Sequence, residues 1–239
     1  MKDFIIARGD GTPVFHLANV CDDIEQNISH IIRGDDHVEN TFRHLFIFHA
    51  LGATIPKYAH LPMIVNHAGK PYSKRDGDAY VGDFRKKGFL PSALFNYLAL
   101  LGWSPGDDRE KMTFPEMIEA FTLDRVKSAP AQFDIAKLTN LNSLYIAEME
   151  TAKFADKALE TLSDQSWWKN NEFKEKLFIV SELMKSRTKT LGQIADWKYF
   201  FVDDFEMDEK AWTKNCGKPE IIKALKMLEN KFEVLDTFT

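Results

Sequence analysis

A strand–helix–strand segment at residues 30–65 constrains the fold of this chain more than any other feature. The run at 30–33 ends at Gly34 and predicts a short strand, and residues 61–65 predict a second one. Between them, apolar side chains recur at intervals of three and four over residues 38–53, which predicts a helix. Polar residues just past such strands form ligand sites in doubly wound sheets, so we expect an α/β amino-terminal part with a ligand site.

The rest of the chain predicts helices. A further short strand, buried, is expected at residues 4–7, but from Pro91 onward the punctuation is helical. Pro91 begins a helix over residues 92–101, and Thr113 to Glu116 forms a capping box ahead of another. Later helices are expected at 134–149, 173–185 and 219–235. The fold class is therefore an α/β part followed by mainly α-helical domains, with a boundary near residue 150.

Composition narrows the classes of function. The 239 residues carry 31 Lys and Arg against 36 Asp and Glu, and the net charge of −5 argues against bulk nucleic-acid affinity but not against a local basic face. The longest nearly apolar run, 90–103, is shorter than the roughly 20 residues of a membrane span, and no leader is evident. Cys21 and Cys216 are lone cysteines, which excludes a cysteine-based zinc site. We expect a cytoplasmic protein without a membrane partner.

The loop at residues 69–78 carries the most chemistry. Glycines flank it, and its cations Lys70, Lys74 and Arg75 are suited to neutralise negative charge that develops on a polyphosphate. Taken alone, these residues equally describe a solvated basic turn. However, the loop follows one predicted strand and residues 33–37 follow the other, so both segments should open on the same edge of the sheet.

Residues 33–37 form a second candidate group. Arg33 ends its strand, where a guanidinium can bind a carboxylate in two-pronged fashion, and a surface salt bridge with an aspartate at 22 or 23 is the alternative. Asp35 and Asp36 are candidates for ribose hydroxyls or for helix caps. His37 is a candidate for contact with a nucleotide base or for a structural role.

Several segments occur together in the order and at the spacing of one known family. They are FHLANVCDD at 15–23, HIIRGDDH at 30–37, HLPMI at 60–64, SKR at 73–75, residues 88–98 with 101–103, and Phe133-Asp134 with Lys137, Leu138 and Asn142. Over residues 1 to about 150 the chain resembles the bacterial glutamyl-tRNA synthetases. Several ordered motifs arise by chance far less often than one.

The resemblance implies a class I aminoacyl-tRNA synthetase, which activates an amino acid with ATP and passes the acyl group to the terminal adenosine of tRNA. The implied partners are glutamate, ATP with Mg²⁺, and tRNA(Glu), with no protein-bound metal in this chain and a monomeric state. Residues 1–88 would be the carboxyl-terminal half of the nucleotide-binding catalytic domain. Residues 89–150 would form a stem-contacting helical domain, and 151–239 part of a helical anticodon-binding region.

The resemblance also implies roles for individual residues in binding ATP. The signature loop ends in Ser73, Lys74 and Arg75, of which Lys74 holds the ATP phosphates during formation of the adenylate. The backbone at Met63 and Ile64 takes the edge of the adenine.

Other implied roles lie after the first strand. Asp36 takes the ribose, and His37 lies where the adenine and the acceptor end of the tRNA meet. Arg33 pairs with a carboxylate of glutamate, helped by Asn19 and the aromatic Phe15. Whether Arg33 binds the α-carboxylate or the side-chain carboxylate stays open.

The sequence departs from the family pattern in three places. The loop normally reads K-x-S-K-R, whereas Pro71 stands at the first Lys and Lys70 lies one position earlier. Phe15 stands where the family usually has Tyr. The H-x-G-H signature, which the family carries well ahead of the segment equivalent to Phe4, does not occur in the sequence. We therefore expect a fragment or a split or truncated gene product that is inactive alone.

Three other functions compete with this interpretation. A glutaminyl enzyme would continue into β-barrels, and the short paralogue that modifies a tRNA base would stop before the anticodon-binding region. The helical pattern at 151–239 favours the glutamyl enzyme over both. A non-catalytic tRNA-binding or regulatory module is favoured by the missing signature and Pro71, and disfavoured by the intact residues 73–75 and Arg33.

Residues 70–87 carry six cations against three aspartates, a local charge of +3 suited to a phosphate backbone.

Overall fold

The computed structural model of the chain describes residues 3–73, 75, 77 and 80–234. Over these residues the α-helices are α1 (Phe15–Glu25), α2 (Val38–Ala50), α3 (Val81–Lys86), α4 (Pro91–Gly102), α5 (Phe114–Ala120), α6 (Ile135–Glu148), α7 (Thr151–Ser163), α8 (Asn170–Met184), α9 (Glu209–Asn215) and α10 (Pro219–Phe232). The strands are β1 (His30–Gly34), β2 (Lys57–Leu61), β3 (Ile64–Val65) and β4 (Ala131–Gln132). The 3₁₀ helices are Asp35–His37, Leu123–Arg125, Lys185–Arg187 and Leu191–Phe200. The fold class expected from the sequence is confirmed.

A strand–helix–strand segment forms, with β1 and β2 joined through α2, although β2 (Lys57–Leu61) lies ahead of the strand predicted at residues 61–65. The two strands are parallel, and their register pairs His30 with Lys57 and Gly34 with Leu61. A parallel pair needs a long crossover connection, which α2 provides. The carboxyl ends of both strands therefore lie at one edge, where the candidate residues of 33–37 follow β1.

The second predicted strand, at residues 61–65, is wrong as a single element. β2 ends at Leu61, and after the buried Pro62 the chain begins β3, which pairs in parallel with β4 in a separate two-stranded sheet. Proline has no N–H and cannot continue a hydrogen-bonded ladder. Pro62 therefore divides an apolar run that its composition alone predicts as continuous.

The buried strand predicted at residues 4–7 is also wrong. The side chain of Ile5 is 73% exposed, and Ala7 forms only an isolated bridge with Pro13. The backbone N–H of Val14 donates to the carbonyl of Ile6, so the segment is one arm of a small hairpin around the turn at 9–13. Apolar composition alone does not make a buried strand when no sheet lies beside it.

Helix α2 begins at Val38 as predicted but ends at Ala50 rather than near residue 53, and its buried side is not the apolar stripe that the spacing defines. Thr41, His44, Ile47 and Phe48 are buried. The predicted stripe consists of Val38, Phe42, Leu45, Phe46, His49 and Ala50, none of which belongs to this buried set. Phe42 and Phe46 are 52% and 58% exposed. Periodicity shows that a helix has an apolar stripe, whereas the neighbouring elements decide which side is covered.

Helices α3, α4 and α6 share a hydrophobic core, in which α4 packs directly on α6. Its buried members are Phe84, Phe89, Leu94, Tyr97, Phe133, Leu138 and Leu141. The Thr113 capping box begins α5 as predicted. Helices α7 and α8 pack on each other. Residues 196–239 form a separate compact unit that contains α9 and α10. No helix in the described part of the chain is long and apolar enough to cross a membrane.

The buried amide of Asn142 connects three segments of the helical part. Its side-chain oxygen accepts from the N–H of Leu90 at 2.8 Å, and its side-chain nitrogen donates to the carbonyl of Lys189 at 2.5 Å. The side chain is fully buried. Because buried backbone groups without partners are costly, this one side chain stabilises the beginning of α4 and the segment after α8 together.

We expect Asn142→Ala to lower the free energy of unfolding by about 1–3 kcal/mol, because the N–H of Leu90 and the carbonyl of Lys189 would lose their partners. Urea denaturation measures this loss. Asn140 lies on the same helix but is exposed, so Asn140→Ala is the matched control and should change stability little. Equal effects of the two substitutions would contradict the role given to Asn142.

Candidate functional site

Arg33 is the best anchored of the candidate residues. It lies near the end of β1, and its Nη2 donates to Thr41 Oγ1 at 2.6 Å and lies 3.4 Å from the carbonyl oxygen of His37. Its guanidinium carbon lies 5.4 Å from the centre of the Tyr58 ring. These contacts hold the cation at the carboxyl edge of the β1–β2 pair, which is where the sequence places a ligand site.

Thr41 connects Arg33 to its surroundings. This threonine is buried on α2, and its hydroxyl oxygen lies 3.2 Å from the carbonyl of His37 and 3.0 Å from Nε2 of His60. A hydroxyl has one proton and two lone pairs, so it accepts from Arg33 and donates to one of its other neighbours. His60 pairs in register with Arg33 across β1 and β2, and the two side chains therefore share a face.

Three buried polar atoms around Arg33 have no hydrogen-bond partner in the structure. They are Arg33 Nε, Asp23 Oδ2 and the hydroxyl of Tyr58. Burial raises the pKa of Asp23, and the charge of Arg33 opposes that shift. The surface salt bridge considered for Arg33 does not form: within the described residues no ion pair joins it to Asp22 or Asp23. The guanidinium is anchored by neutral groups and keeps its charge for another anion.

The histidines beside Arg33 are held neutral. Burial, and then the charge of Arg33, lower the pKa of His44 to about 4. The same two causes lower the pKa of His60, and burial with the charges of Arg43 and Arg33 lowers that of His16. His16 Nδ1 and His44 Nε2 lie 3.2 Å apart, which is a hydrogen bond between neutral imidazoles. Positive charge in this region is thereby concentrated on the arginines.

Phe15 and Asn19 lie on α1 at positions four apart, and such positions share one side of a helix. The Phe15 ring centre lies 6.5 Å from that of His37 and 5.8 Å from that of His44. Phe15 is half exposed, so that its ring is available to a ligand as well as to the histidines. The structure thus brings Phe15, His37 and Arg33 together around the end of β1.

Asp36 and Met63 meet beside Gly34, the last residue of β1. A Cβ added at Gly34 would lie 2.5 Å from Asp36 Oδ1 and 3.9 Å from Met63 Sδ, so the glycine makes room for both side chains. Asp36 Oδ2 also lies 3.8 Å from His37 Nε2. The alternative role of Asp35 and Asp36 as caps is not observed, because neither the 3₁₀ turn at 35–37 nor α2 has a side-chain cap.

Met63 immediately precedes β3, and Ile64 is the first residue of that strand. The carbonyl of Met63 accepts from the N–H of Ala131, and that of Ile64 accepts from the N–H of Tyr72 at 2.8 Å. A carbonyl oxygen has two lone pairs, so each of them can accept a further hydrogen bond. These bonds fix the segment from both sides without occupying all of its acceptors.

The signature loop begins in a tight turn. Asn66 Oδ1 accepts from the N–H groups of Ala68 and Lys70, and Gly69 has φ of 72°, which favours glycine. Pro71 forms a bridge with Val65. Ser73 is exposed, and its hydroxyl accepts from the N–H of the exposed Arg75 at 3.3 Å. Lys74, the predicted phosphate ligand, lies outside the described residues.

Sequence reasoning missed the residues that hold Arg33. The apolar spacing on α2 predicts a stripe that leaves Thr41 out, and Tyr58 and His60 lie ahead of the strand predicted at residues 61–65. Only the register of β1 with β2 would have found His60. The part of the chain that the structure describes contains no group of three or more His, Cys, Asp or Glu able to hold a metal ion.

Comparison with known proteins shows which families this chain resembles. Residues 1–140 match the family model described as tRNA synthetases class I (E and Q), catalytic domain, and residues 153–239 match an anticodon binding domain. The chain is 42% identical to the glutamate–tRNA ligase of Thermobifida fusca over 217 residues, 90% of this chain and 46% of that protein. It is 40% identical to that of Francisella tularensis subsp. novicida, over 99% of this chain and 50% of the relative.

Two solved structures of glutamate–tRNA ligases are also similar to this chain. A crystal structure of a glutamate tRNA ligase from Elizabethkingia meningosepticum in complex with its amino acid is similar with a TM-score of 0.82 and 32% identity. The match covers 99% of this chain and 50% of that one. The synthetase from Elizabethkingia anophelis is similar with a TM-score of 0.81 and the same coverage. The chain spans about half the length of these relatives.

We expect Thr41→Val to release Arg33, because valine keeps the shape of the side chain but cannot accept from the guanidinium. The free energy of unfolding, measured by urea denaturation, should fall by about 1–3 kcal/mol. It should also be seen as faster rotation of the Arg33 guanidinium in ¹⁵N NMR. Thr41→Ser keeps the hydroxyl and is the matched control. Unchanged guanidinium dynamics in Thr41→Val would show that Arg33 is held by other contacts.

The low pKa of His44 predicts a pH-dependent stability. In the unfolded chain His44 binds a proton below its ordinary pKa of 6.5, whereas in the folded protein it does so only near pH 4. The unfolded state therefore binds more protons between these values, and the free energy of unfolding should fall by roughly 2–3 kcal/mol as pH drops from 6.5 to 4. His16 adds to this loss in the same direction.

Urea denaturation between pH 4 and 7 measures the effect. His44→Gln should flatten much of the pH dependence, since glutamine does not titrate in this range. The exposed His49 on the same helix supplies the control His49→Gln, which should keep the wild-type slope. Identical slopes in the two variants would contradict a neutral, buried His44.

Proposed function

Because this chain belongs to the tRNA synthetases class I (E and Q), we propose that it carries the carboxyl-terminal half of the adenylate-forming site of a glutamate–tRNA ligase. The observation that carries the proposal is the Arg33 guanidinium, fixed at the edge of the β1–β2 pair by the buried Thr41. It lies among neutral histidines and beside Phe15 and His37. A cation held by neutral groups in such a place is suited to a substrate carboxylate.

The reaction joins a carboxylate of glutamate to the α-phosphate of ATP with loss of pyrophosphate, and the acyl group then passes to the terminal adenosine of tRNA(Glu). Arg33 binds one carboxylate of glutamate, while Phe15 and Asn19 line the same side of α1 toward the amino acid. A guanidinium that offers two parallel N–H groups fixes the orientation of a carboxylate as well as its charge.

ATP is held by the segments after β1 and around β3. Asp36, for which Gly34 leaves space, accepts hydrogen bonds from the ribose hydroxyls. The backbone at Met63 and Ile64 binds the edge of the adenine. His37 lies next to Asp36 and meets the adenine and the acceptor end. The ATP phosphates are bound by Ser73, Lys74 and Arg75. Cations at this place stabilise the negative charge that develops on the phosphates during transfer.

Mg²⁺ enters this proposal as a companion of ATP. Within the described residues no three-ligand cluster exists to hold it, and Mg²⁺ commonly binds through substrate phosphates with few protein ligands. Bound in that way, it supplies charge neutralisation on the phosphates. Residues 89–150 would contact the stem of the tRNA and residues 151–239 its anticodon region, in line with the anticodon-domain match of 153–239.

We expect the chain alone to show no glutamate-dependent ATP–pyrophosphate exchange. The ATP phosphates must be held from both halves of the nucleotide-binding fold, and half a site loses the positioning that supplies much of the rate. The same assay on a fusion to the amino-terminal part of the Francisella relative serves as the positive control. Exchange by the chain alone would show that its site is complete.

Arg33→Ala in that fusion should raise KM for glutamate about 10- to 100-fold, because a hydrogen bond to a charged group contributes about 1.5–3 kcal/mol. KM for ATP should change little. Arg109 forms an ion pair with Asp107 far along the chain, so Arg109→Ala is the control. Wild-type glutamate kinetics in Arg33→Ala would remove Arg33 from the site and with it the main support for the proposal.

Arg33→Gln decides which carboxylate is bound. If Arg33 binds the side-chain carboxylate, the variant should narrow the preference for glutamate over glutamine, since the two differ only there. If Arg33 binds the α-carboxylate, the affinities for glutamate and for glutamine should fall by a similar factor. Pyrophosphate exchange with each amino acid distinguishes these outcomes.

A further inference from the structure

Asp23 occupies an unfavourable place for a carboxylate. It lies in the last turn of α1, where the negative end of the helix dipole opposes a negative charge. Burial raises the pKa of its carboxyl group, and the adjacent Asp22 raises it further. The charge of Arg33 acts in the opposite direction and favours the ionised form. Arg33 therefore stabilises the carboxylate of Asp23 where burial and neighbouring negative charge oppose it.

The Nε atom of Arg33 needs a partner from the protein itself. A guanidinium has five N–H donors, four of them on the two Nη atoms, and one of these four donates to Thr41. Nε is shielded from solvent and has no hydrogen-bond partner among the described residues. Because a substrate cannot reach a shielded atom, the acceptor for the Nε–H has to be a buried protein group.

Two shielded oxygen atoms near Arg33 also lack a partner within the described part of the chain, Asp23 Oδ2 and the hydroxyl of Tyr58. The guanidinium carbon lies 5.4 Å from the centre of the Tyr58 ring. Burial raises the pKa of Tyr58, so its hydroxyl keeps its proton and can donate. A carboxylate oxygen accepts two hydrogen bonds, and Nε and the hydroxyl supply two donors. Nδ1 of His44, the other shielded atom on which the charge of Arg33 acts, is neutral and a weaker acceptor.

Asp23 continues the side of α1 that carries the proposed contacts to glutamate. Phe15, Asn19 and Asp23 follow one another at intervals of four, and residues four apart are neighbours on a helix surface. The fully buried Val20 belongs to the core that α1 shares with α2. Helix α1 is thereby fixed against α2, and its side chains are suited to hold Arg33 in one position.

We propose that Asp23 positions Arg33 for the substrate: when glutamate binds, Asp23 Oδ2 accepts hydrogen bonds from the Nε of Arg33 and from the hydroxyl of Tyr58. Thr41 then holds the guanidinium from α2, and Asp23 holds it from α1. The two Nη atoms face the substrate side by side, so the guanidinium binds the carboxylate end-on. This inference rests on the proposed function, in which Arg33 binds glutamate.

The fusion to the amino-terminal part of the Francisella relative serves for the test. Asp23→Ala should raise KM for glutamate about 10-fold and change KM for ATP little, because an unaligned guanidinium loses part of a charged hydrogen bond. A loss of stability alone would lower the fraction of active enzyme but would not raise KM. Asp23→Asn keeps an acceptor oxygen and should raise KM by less than about 3-fold. The exposed Asp22 supplies the matched control Asp22→Ala, which should leave KM unchanged.

Two further variants test whether Asp23 acts through Arg33. Tyr58→Phe keeps the ring beside the guanidinium and removes only the hydroxyl, so it should raise KM for glutamate less than Asp23→Ala does. In the Arg33→Ala background, Asp23→Ala should cause no further rise, because the residue to be positioned is gone. A full additional rise in that background would overturn the proposal.

NMR of the fusion labelled with ¹⁵N-arginine observes the hydrogen bond directly. Addition of glutamate should slow the exchange of the Arg33 Nε–H with water in the wild type but not in Asp23→Ala. An exchange rate that glutamate leaves unchanged in the wild type would overturn the proposal. If Arg33→Ala leaves KM for glutamate unchanged, the proposed function fails. If Arg33→Ala raises KM and Asp23→Ala does not, only the role of Asp23 is refuted.

Discussion

The hydrogen bond from Arg33 to Thr41 is the contact on which the amino-terminal part depends. It joins the end of β1 to the first turns of α2, and through Thr41 it reaches His60 on β2. Thr41 is buried and Arg33 is partly buried, so that water competes weakly for this bond. The contact therefore ties α2 to the strand pair and holds the cation at its edge.

The charge of Arg33 also organises the residues around it. It lowers the pKa of His44, His16 and His60, in each case in addition to burial. Three imidazoles that would otherwise share positive charge near neutral pH stay neutral, and the positive potential stays on the arginine. The proposed binding of a carboxylate beside an aromatic base would benefit from this division, because neutral rings pack on a base while the guanidinium binds the carboxylate.

Pro62 makes the second connection that the site needs. By ending β2 it sends the chain into β3, which pairs with β4 from the helical part. The signature loop follows β3 directly, and Tyr72 packs on Phe133 with ring centres 4.8 Å apart. The segment around β3 and the helical core are thus joined by backbone hydrogen bonds, by the Tyr72–Phe133 contact and by a hydrogen bond between the side chains of Gln132 and His67. A shift of the helical part would move the loop that bears the predicted phosphate ligands.

Local patterns in the sequence determined the helices α2, α4, α5, α6, α8 and α10, the α/β order of the first segment, and the candidates Arg33, Asp36 and His37, because capping, periodicity and strand ends act over a few residues. The resemblance to one family added the roles. Tertiary structure alone decided that residues 4–7 form no buried strand and that residues 61–65 divide at Pro62. It also decided that α2 buries Thr41 and leaves Phe42 exposed, since burial depends on neighbours distant in sequence.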